Sequence, residues 1–273
     1  MKLSYPVLVP DTTAKVMAWC EGYQEAFYTL KKLGYEGIEL LVRDPLTVDR
    51  ELLNELLKEN QLSLSSVGTS PMQKEDQLFL MDEDPDKRRE AYRRLKDLID
   101  LAAYYQVPVL IGKYRGMEGT QSGSTLNDFK TIMEHAGKWA EDAGIELYIE
   151  PQSEDSINNL NTVSESITWI KGLNCNNIKL LLDLYHMDKT EQSITESLLN
   201  ARNYLGMIHV SDTDRLIPGY GQIPMKAVLN TLDKIGYQGY LSMEVKQEPG
   251  TVQAAERSIL SLNNIMKSSG ILF

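Results

Sequence analysis

The sequence is poor in several residue types, and each shortage excludes something. Its 273 residues include two cysteines, Cys20 and Cys175. Two are too few for a disulfide framework, and no CxxC pair offers a thiolate metal site. The expected setting is therefore reducing and cytoplasmic. Lysine and arginine total 28 against 39 aspartates and glutamates, for a net charge of −11. That balance leaves no basic stripe of the kind a nucleic-acid groove needs. No apolar run is long enough to span a membrane, and the apolar start within MKLSYPVLVPD is too short for a secretory signal, so no membrane partner is expected. Only three histidines occur, at 135, 186 and 209. No GxGxxG follows the first apolar run, which counts against the dinucleotide-binding form of an open α/β sheet. There is no linker, low-complexity segment or short repeat.

What is present is an alternation. Short apolar runs at 3–9, 37–42, 62–67, 107–111, 145–150, 178–183, 205–210 and 239–245 alternate with amphipathic stretches at 21–33, 49–59, 86–105, 126–143, 162–172, 193–204, 224–235 and 252–267. Asp49 stands in N-cap position ahead of Leu52, Leu53, Leu56 and Leu57 on one helical face. Thr162 with Glu165 three residues on forms a capping-box pattern. Eight strand–helix alternations without a composition break predict an α/β fold, a (β/α)8 TIM barrel forming a single domain over 1–273. A doubly wound open sheet is the alternative. The polar stretch 68–86 is longer than an ordinary βα connection and is expected to act as a lid. A second polar loop runs from the fourth strand to Thr125.

A barrel of this kind carries its active site at the C-terminal ends of its strands. Strand five, LYIE, ends at Glu150; strand six, LLLD, at Asp183; strand seven gives GMIH with His209; strand eight, LSME, ends at Glu244. Four consecutive strands thus each deliver one metal-competent side chain to one rim. Unpaired carboxylates at the ends of buried runs are costly, and these would repel one another without a cation. Three carboxylates and one imidazole suit Mn²⁺, Mg²⁺ or Co²⁺ better than a thiolate-seeking ion, with Zn²⁺ also open. The plain alternative is four separate capping or salt-bridge roles.

Longer motifs surround these positions. They are Ile149-Glu150-Pro151 followed by Leu160-Asn161-Thr162, DLYH from Asp183 to His186, HVSDTDR from His209 to Arg215, PGYGQIP from Pro218 to Pro224, and Ser242-Met243-Glu244. The four ligand candidates are separated by 33 residues from Glu150 to Asp183, 26 on to His209 and 35 on to Glu244. On these residues the whole chain resembles the xylose isomerase-like TIM barrels of the sugar phosphate isomerase/epimerase superfamily, and most of all the ketose 3-epimerases of tagatose/psicose type. The resemblance implies one divalent ion, Mn²⁺ first, held by Glu150, Asp183, His209 and Glu244. It makes Glu150 and Glu244 the acid/base pair for 3-epimerisation of a ketose or ketose derivative, a small-molecule carbohydrate substrate. It matches His186 and Arg215 to substrate-binding positions and implies a homodimer or homotetramer.

The chemistry is consistent with that assignment. A proton α to a carbonyl is weakly acidic, so its removal needs an electrophile on the oxygens and a base nearby. Carboxylates on opposite faces of an enediolate can take the proton from one side and return it from the other, inverting C3. One carboxylate working between C1 and C2 would instead interconvert aldose and ketose.

Other candidates have two readings each. His186 either touches substrate or orients its neighbours. Arg215 either touches substrate or clamps the loop through Asp212 or Asp214. Glu39, near the end of strand two, is either a floor residue of the pocket or part of a core ion pair. Lys113 and Arg115, after strand four, are either a solvated pair or pocket cations favouring a phosphate or carboxylate. His135 is expected on an outer helix. One departure stands out: six residues after the strand-five glutamate, where sugar epimerases carry a substrate-contacting glutamate, this chain has Ser156, with Glu154 and Asp155 as nearby replacements. The competing functions are an inosose- or dehydroshikimate-type dehydratase on the same metal site and a non-catalytic sugar-binding barrel. A zinc endonuclease on this fold would need extra histidines after strands two to four, and there are none.

Overall fold

The computed structural model describes residues 1–119 and 125–270. Eight parallel strands close into a barrel in sequence order. They are β1 (Lys2–Leu8), β2 (Gly37–Leu41), β3 (Ser63–Gly68), β4 (Val109–Ile111), β5 (Leu147–Ile149), β6 (Ile178–Asp183), β7 (Leu205–Val210) and β8 (Tyr240–Met243). Among the described residues ten α-helices accompany them: α1 (Tyr23–Leu33), α2 (Arg50–Asn60), α3 (Ser70–Lys74), α4 (Pro85–Tyr105), α5 (Leu126–Asp142), α6 (Val163–Lys171), α7 (Leu184–Thr190), α8 (Ile194–Ala201), α9 (Met225–Lys234) and α10 (Thr251–Ser269). The barrel reading is borne out, and the open sheet is excluded by pairing of β1 with β8.

Local chemistry sets the helix ends. Asp49 caps α2 by accepting from Leu52 N at 3.0 Å. Thr162 accepts from Glu165 N at 3.2 Å. The Glu165 carboxylate, however, takes the N–H groups of Leu160 and Asn161 rather than that of Thr162, so the capping box is only half formed. Helix α1 ends on Gly34, whose φ of 103° a side chain would strain.

Alternation along the strands separates two cores. Side chains facing outward pack under the helices in one large cluster. A second cluster of Leu110, Tyr148, Leu181 and Met207 plugs the barrel, with Tyr240 against it. Three of these stand two residues before Glu150, Asp183 and His209, on the same face of the same strands. The plug is therefore the floor on which the polar layer rests.

Two expectations change. The stretch 68–86 is not a free lid: it holds α3, buries Leu78, Leu80 and Met81, and bonds Leu80 N to Tyr114 O at 2.8 Å and Met81 N to Arg115 O at 3.1 Å. Its apolar residues, spaced irregularly among charges, gave no periodic signal. Helix α7, directly after β6, lies outside the eight amphipathic stretches, and Asp183, weighed as either a ligand or a cap, is its N-cap as well as a member of the quartet. Part of the polar loop reaching Thr125, residues 120–124, lies outside the described residues. No helix among the described residues is long and apolar enough to cross a membrane.

Candidate metal centre and active site

The strand ends bring the four candidates together. One ligand atom each from Glu150, Asp183, His209 and Glu244 lies within 4.8 Å of the others. Asp183 and His209 are register partners across β6 and β7. The two glutamates stand just beyond their strands but stay on the ladder, with Glu150 N donating to Ile111 O and Glu244 N to Val210 O, both at 3.1 Å. Asp183 also caps α7 through Oδ1, which accepts from Tyr185 N at 3.0 Å. A Cβ at Gly112 would lie 2.5 Å from Glu150 Oε2, so only glycine lets the backbone after β4 come this close. The Gln152 amide donates to the same Glu150 oxygen.

His209 is held from behind. Its Nε2 lies 3.0 Å from Glu39 Oε2, and both side chains are buried. Its Nδ1 faces Glu244 Oε2 at 3.2 Å and Glu150 Oε1 at 3.7 Å. Neither contact has hydrogen-bond geometry, which leaves Nδ1 buried without a bond. Asp183 Oδ2 is likewise without a hydrogen bond, though Arg215 Nη1 pairs with it at 2.6 Å. Two buried polar atoms directed into one acidic cluster fit a cation.

The charges confirm how tightly these groups interact. Burial opposes the His209 imidazolium, but Glu39, Glu244 and Glu150 outweigh it and hold the ring well above its ordinary pKa. Burial, reinforced by Glu244 and Glu150, raises Asp183 to about 8 in spite of Arg215. For Glu244, burial is outweighed by Arg215 and His209, which keep it below the usual carboxylate range. Glu150 is also lowered, His209 again overcoming burial. One acid of the cluster thus gives up its charge while two keep theirs, as expected for like charges crowded together.

Arg215 enters from the loop after β7. Asp212 shapes that loop by accepting from the backbone of Thr213 (2.8 Å), Gly219 (2.8 Å) and Ile223 (2.9 Å). The Arg215–Asp212 clamp considered above is therefore not formed. Instead Arg215 Nη1 lies 2.6 Å from both Asp183 Oδ2 and Glu244 Oε2, with its guanidinium 4.3 Å from the centre of the Tyr185 ring. Its Nη2 is 3.2 Å from His186 Nε2, and the other side of that ring contacts Ser153 Oγ at 2.9 Å. Burial lowers His186 to about 4, so the ring is neutral near pH 7. Glu150, Tyr185, His186, His209, Arg215 and Glu244 line one cavity of about 290 Å³, the size of a small ligand.

The model of the xylose isomerase-like TIM barrel matches residues 27–265. The chain belongs to this family. A D-psicose 3-epimerase of Ruminiclostridium cellulolyticum is 30% identical over 238 residues, covering 83% of this chain and 79% of that protein. An L-ribulose 3-epimerase of Methylomonas is 26% identical over 231 residues, covering 82% and 78%. The crystal structure of D-psicose 3-epimerase with D-tagatose from Clostridium cellulolyticum superposes with a TM-score of 0.78 at 23% identity, over 100% of both chains. That last likeness concerns the fold.

Within the family frame the other candidates sort themselves. Lys113 lines the cavity; Arg115 does not. Arg115 is fully buried and bonds Asn159 Oδ1 (2.8 Å), Asn159 O (2.9 Å), Gly112 O (3.0 Å) and Glu150 O (2.9 Å). It is neither a solvated cation nor a pocket cation, because the turn at Lys113–Arg115 points adjacent side chains in different directions. Glu39 does touch the cavity, but its bond is to His209, so it orients a ligand candidate rather than forming a bare floor. Ser156 lines the cavity, whereas Glu154 and Asp155 are exposed and do not; Asp155 pairs with Lys189 at 2.6 Å. Neither acid replaces the missing glutamate. His135 is exposed on α5, as expected. Gln152, Ser153, Tyr185, Lys15 and Lys74 also reach the site or its wall and were not singled out. Gln152 could have been found from its place two residues after Glu150; the lysines carry no sequence signal.

Proposed function

We propose that this chain, acting as one domain over residues 1–273, is a divalent-metal-dependent ketose 3-epimerase of the isomerase class. The observation that carries the reading is the quartet Glu150, Asp183, His209 and Glu244, delivered by four successive strands with ligand atoms within 4.8 Å. The curated relatives named above, which span about four-fifths of the chain, support the same activity. The dehydratase alternative is not favoured.

The four residues would hold the ion, and the oxygen-rich donor set suits Mn²⁺. Bound there, it would supply a Lewis acid that makes the proton next to a ketose carbonyl more acidic. The chain's own groups do the proton work. Glu150 and Glu244 follow the first and last of the four strands, so that one would work on each face of the sugar. One carboxylate takes the C3 proton as the electron pair moves toward the C2 oxygen. The other, ionised at rest, first takes up a proton from solvent or a substrate hydroxyl and then gives it to the opposite face of C3 as the carbonyl re-forms. No atom is gained or lost, and C3 is inverted. His186, neutral, and Arg215 would position the hydroxyl groups, and the Tyr185 ring forms part of the wall. The two unbridged cysteines suit a cytoplasmic setting, and the family resemblance argues for a homo-oligomer.

The test is solvent exchange. Mn²⁺-loaded protein in D₂O with ketoses should place deuterium at C3 and yield the C3 epimer. Glu150→Gln and Glu244→Gln should each abolish net epimerisation. Deuterium at C1 or C2 with an aldose product would make it an aldose–ketose isomerase, and loss of water would make it a dehydratase.

A further inference from the structure

The quartet occupies the β5–β8 half of the rim. The other half carries three lysines that line the same cavity: Lys15 between β1 and α1, Lys74 in α3 after β3, and Lys113 in the turn after β4. None makes an ion pair or a side-chain hydrogen bond with any described residue. The nearby acids are already engaged. Glu75 accepts from the hydroxyls of Thr12 (2.7 Å) and Thr13 (2.6 Å) and pairs with Arg43 at 3.4 Å. Asp76 is shared by Arg43 (2.7 Å) and Arg94 (2.5 Å), and Asp155 is held by Lys189. Partial burial lowers Lys113 against the opposing charge of Glu150, and Lys74 adds to the lowering.

This arrangement is unusual in a chain whose net charge is −11. Once a bound ion has displaced the Asp183 and His209 protons, Lys15, Lys74, Lys113 and Arg215 balance Glu39, Glu150, Asp183 and Glu244 one for one. A divalent ion would then leave two positive charges in excess, all of the uncompensated charge lying on the lysine side. Ser156, in the connection after β5, lines the same cavity without adding a charge. Three ammonium groups without an ion pair among the described residues therefore line the same cavity as the quartet. A neutral sugar offers them no counter-charge; a terminal anion does.

Resting on the ketose 3-epimerase reading, we propose that the substrate is a ketose bearing a terminal anionic group, a phosphate monoester or a carboxylate, whose charge is bound by Lys15, Lys74 and Lys113. The hydroxyketone end lies at Glu150, Asp183, His209 and Glu244, and the chain of the sugar extends across the mouth toward the β1, β3 and β4 loops.

The experiment is calorimetric titration of the Mn²⁺-loaded protein with D-fructose, D-fructose 6-phosphate and D-fructuronate, with C3 deuterium exchange followed on the same samples. The inference expects at least one anionic ketose to bind about tenfold or more tightly than fructose, an advantage that shrinks as ionic strength rises. Lys15→Met, Lys74→Met and Lys113→Met should each reduce the ratio of anionic to neutral affinity, and the triple variant should bring it near unity. Whichever of the phosphate and the carboxylate binds tighter names the group. Equal affinity for fructose and both anionic ketoses, or a preference that survives the triple variant, overturns the inference. The exchange readout keeps the two readings apart: anion preference without C3 exchange would leave the lysine subsite standing and remove the epimerase, whereas C3 exchange without anion preference would do the reverse.

Discussion

Glu39 Oε2 lies 3.0 Å from His209 Nε2, and the two residues come from β2 and β7, three strands apart around the closed barrel. With Nε2 committed to Glu39, the nitrogen left to face Glu150 and Glu244 is Nδ1. A carboxylate behind a histidine fixes the ring's orientation and raises its basicity as a ligand. Glu39→Ala should weaken Mn²⁺ binding by roughly 10–100-fold, the usual range for losing such a partner. Glu39→Gln, whose amide oxygen can still accept from Nε2–H, should lose less. Titration of free Mn²⁺ by electron paramagnetic resonance checks both, and equal affinity in all three proteins would remove Glu39 from the site.

Metal loading should depend on pH in a definite direction. Asp183 is raised to about 8 and His209 well above its ordinary value, so near neutral pH both carry a proton that a bound ion must displace. Affinity should therefore rise as pH increases toward 8, with between about one and two protons released per ion at pH 7. Calorimetry in buffers of different ionisation enthalpy measures the number. Asp183→Asn should lower both the proton count and the affinity. Zero proton release would contradict the assignment of these two groups.

Arg115 is a buried cation without an ionised partner in contact, satisfied by three carbonyls and the Asn159 side chain. Burial lowers its pKa to about 10, which still leaves it charged at neutral pH. Arg115→Ala removes four hydrogen bonds and strands their acceptors, one of them the carbonyl of Glu150. The expected loss is about 3–5 kcal/mol of stability, the range for dismantling a buried charged network. Arg115→Lys should recover little, because one ammonium cannot reproduce the fork. Urea denaturation reads the loss; a change below about 1 kcal/mol would show that the network is replaceable.

Gly112 sets the distance between β4 and the Glu150 carboxylate. A methyl group 2.5 Å from Oε2 must push that carboxylate away. Gly112→Ala should reduce kcat by about tenfold or more while leaving thermal stability nearly unchanged, since misplacing a reacting group is costlier to rate than to folding. An unchanged kcat would show that Glu150 has room to adjust.

The sequence by itself determined the barrel and the meeting of the quartet at one rim. Strand alternation is local, with a period of two residues, and a barrel collects every strand's C-terminal end at one rim. A carboxylate or imidazole closing an apolar run therefore has only one place to go, and Glu150, Asp183, His209 and Glu244 were legible on that ground. Residues set by long-range contact were not. The bond from Glu39 to His209 spans 170 residues. Arg115 and Lys113 share one short turn, yet one is sealed beneath the site and the other lines it. Lys15, Lys74 and Lys113 stand on three different strand-to-helix connections, and their common cavity exists only once β1 to β4 lie side by side. Loop side chains follow no period, and which acids are already taken by Arg43, Arg94 or Lys189 is decided by packing. Only the tertiary structure could separate the paired charges from the unpaired ones.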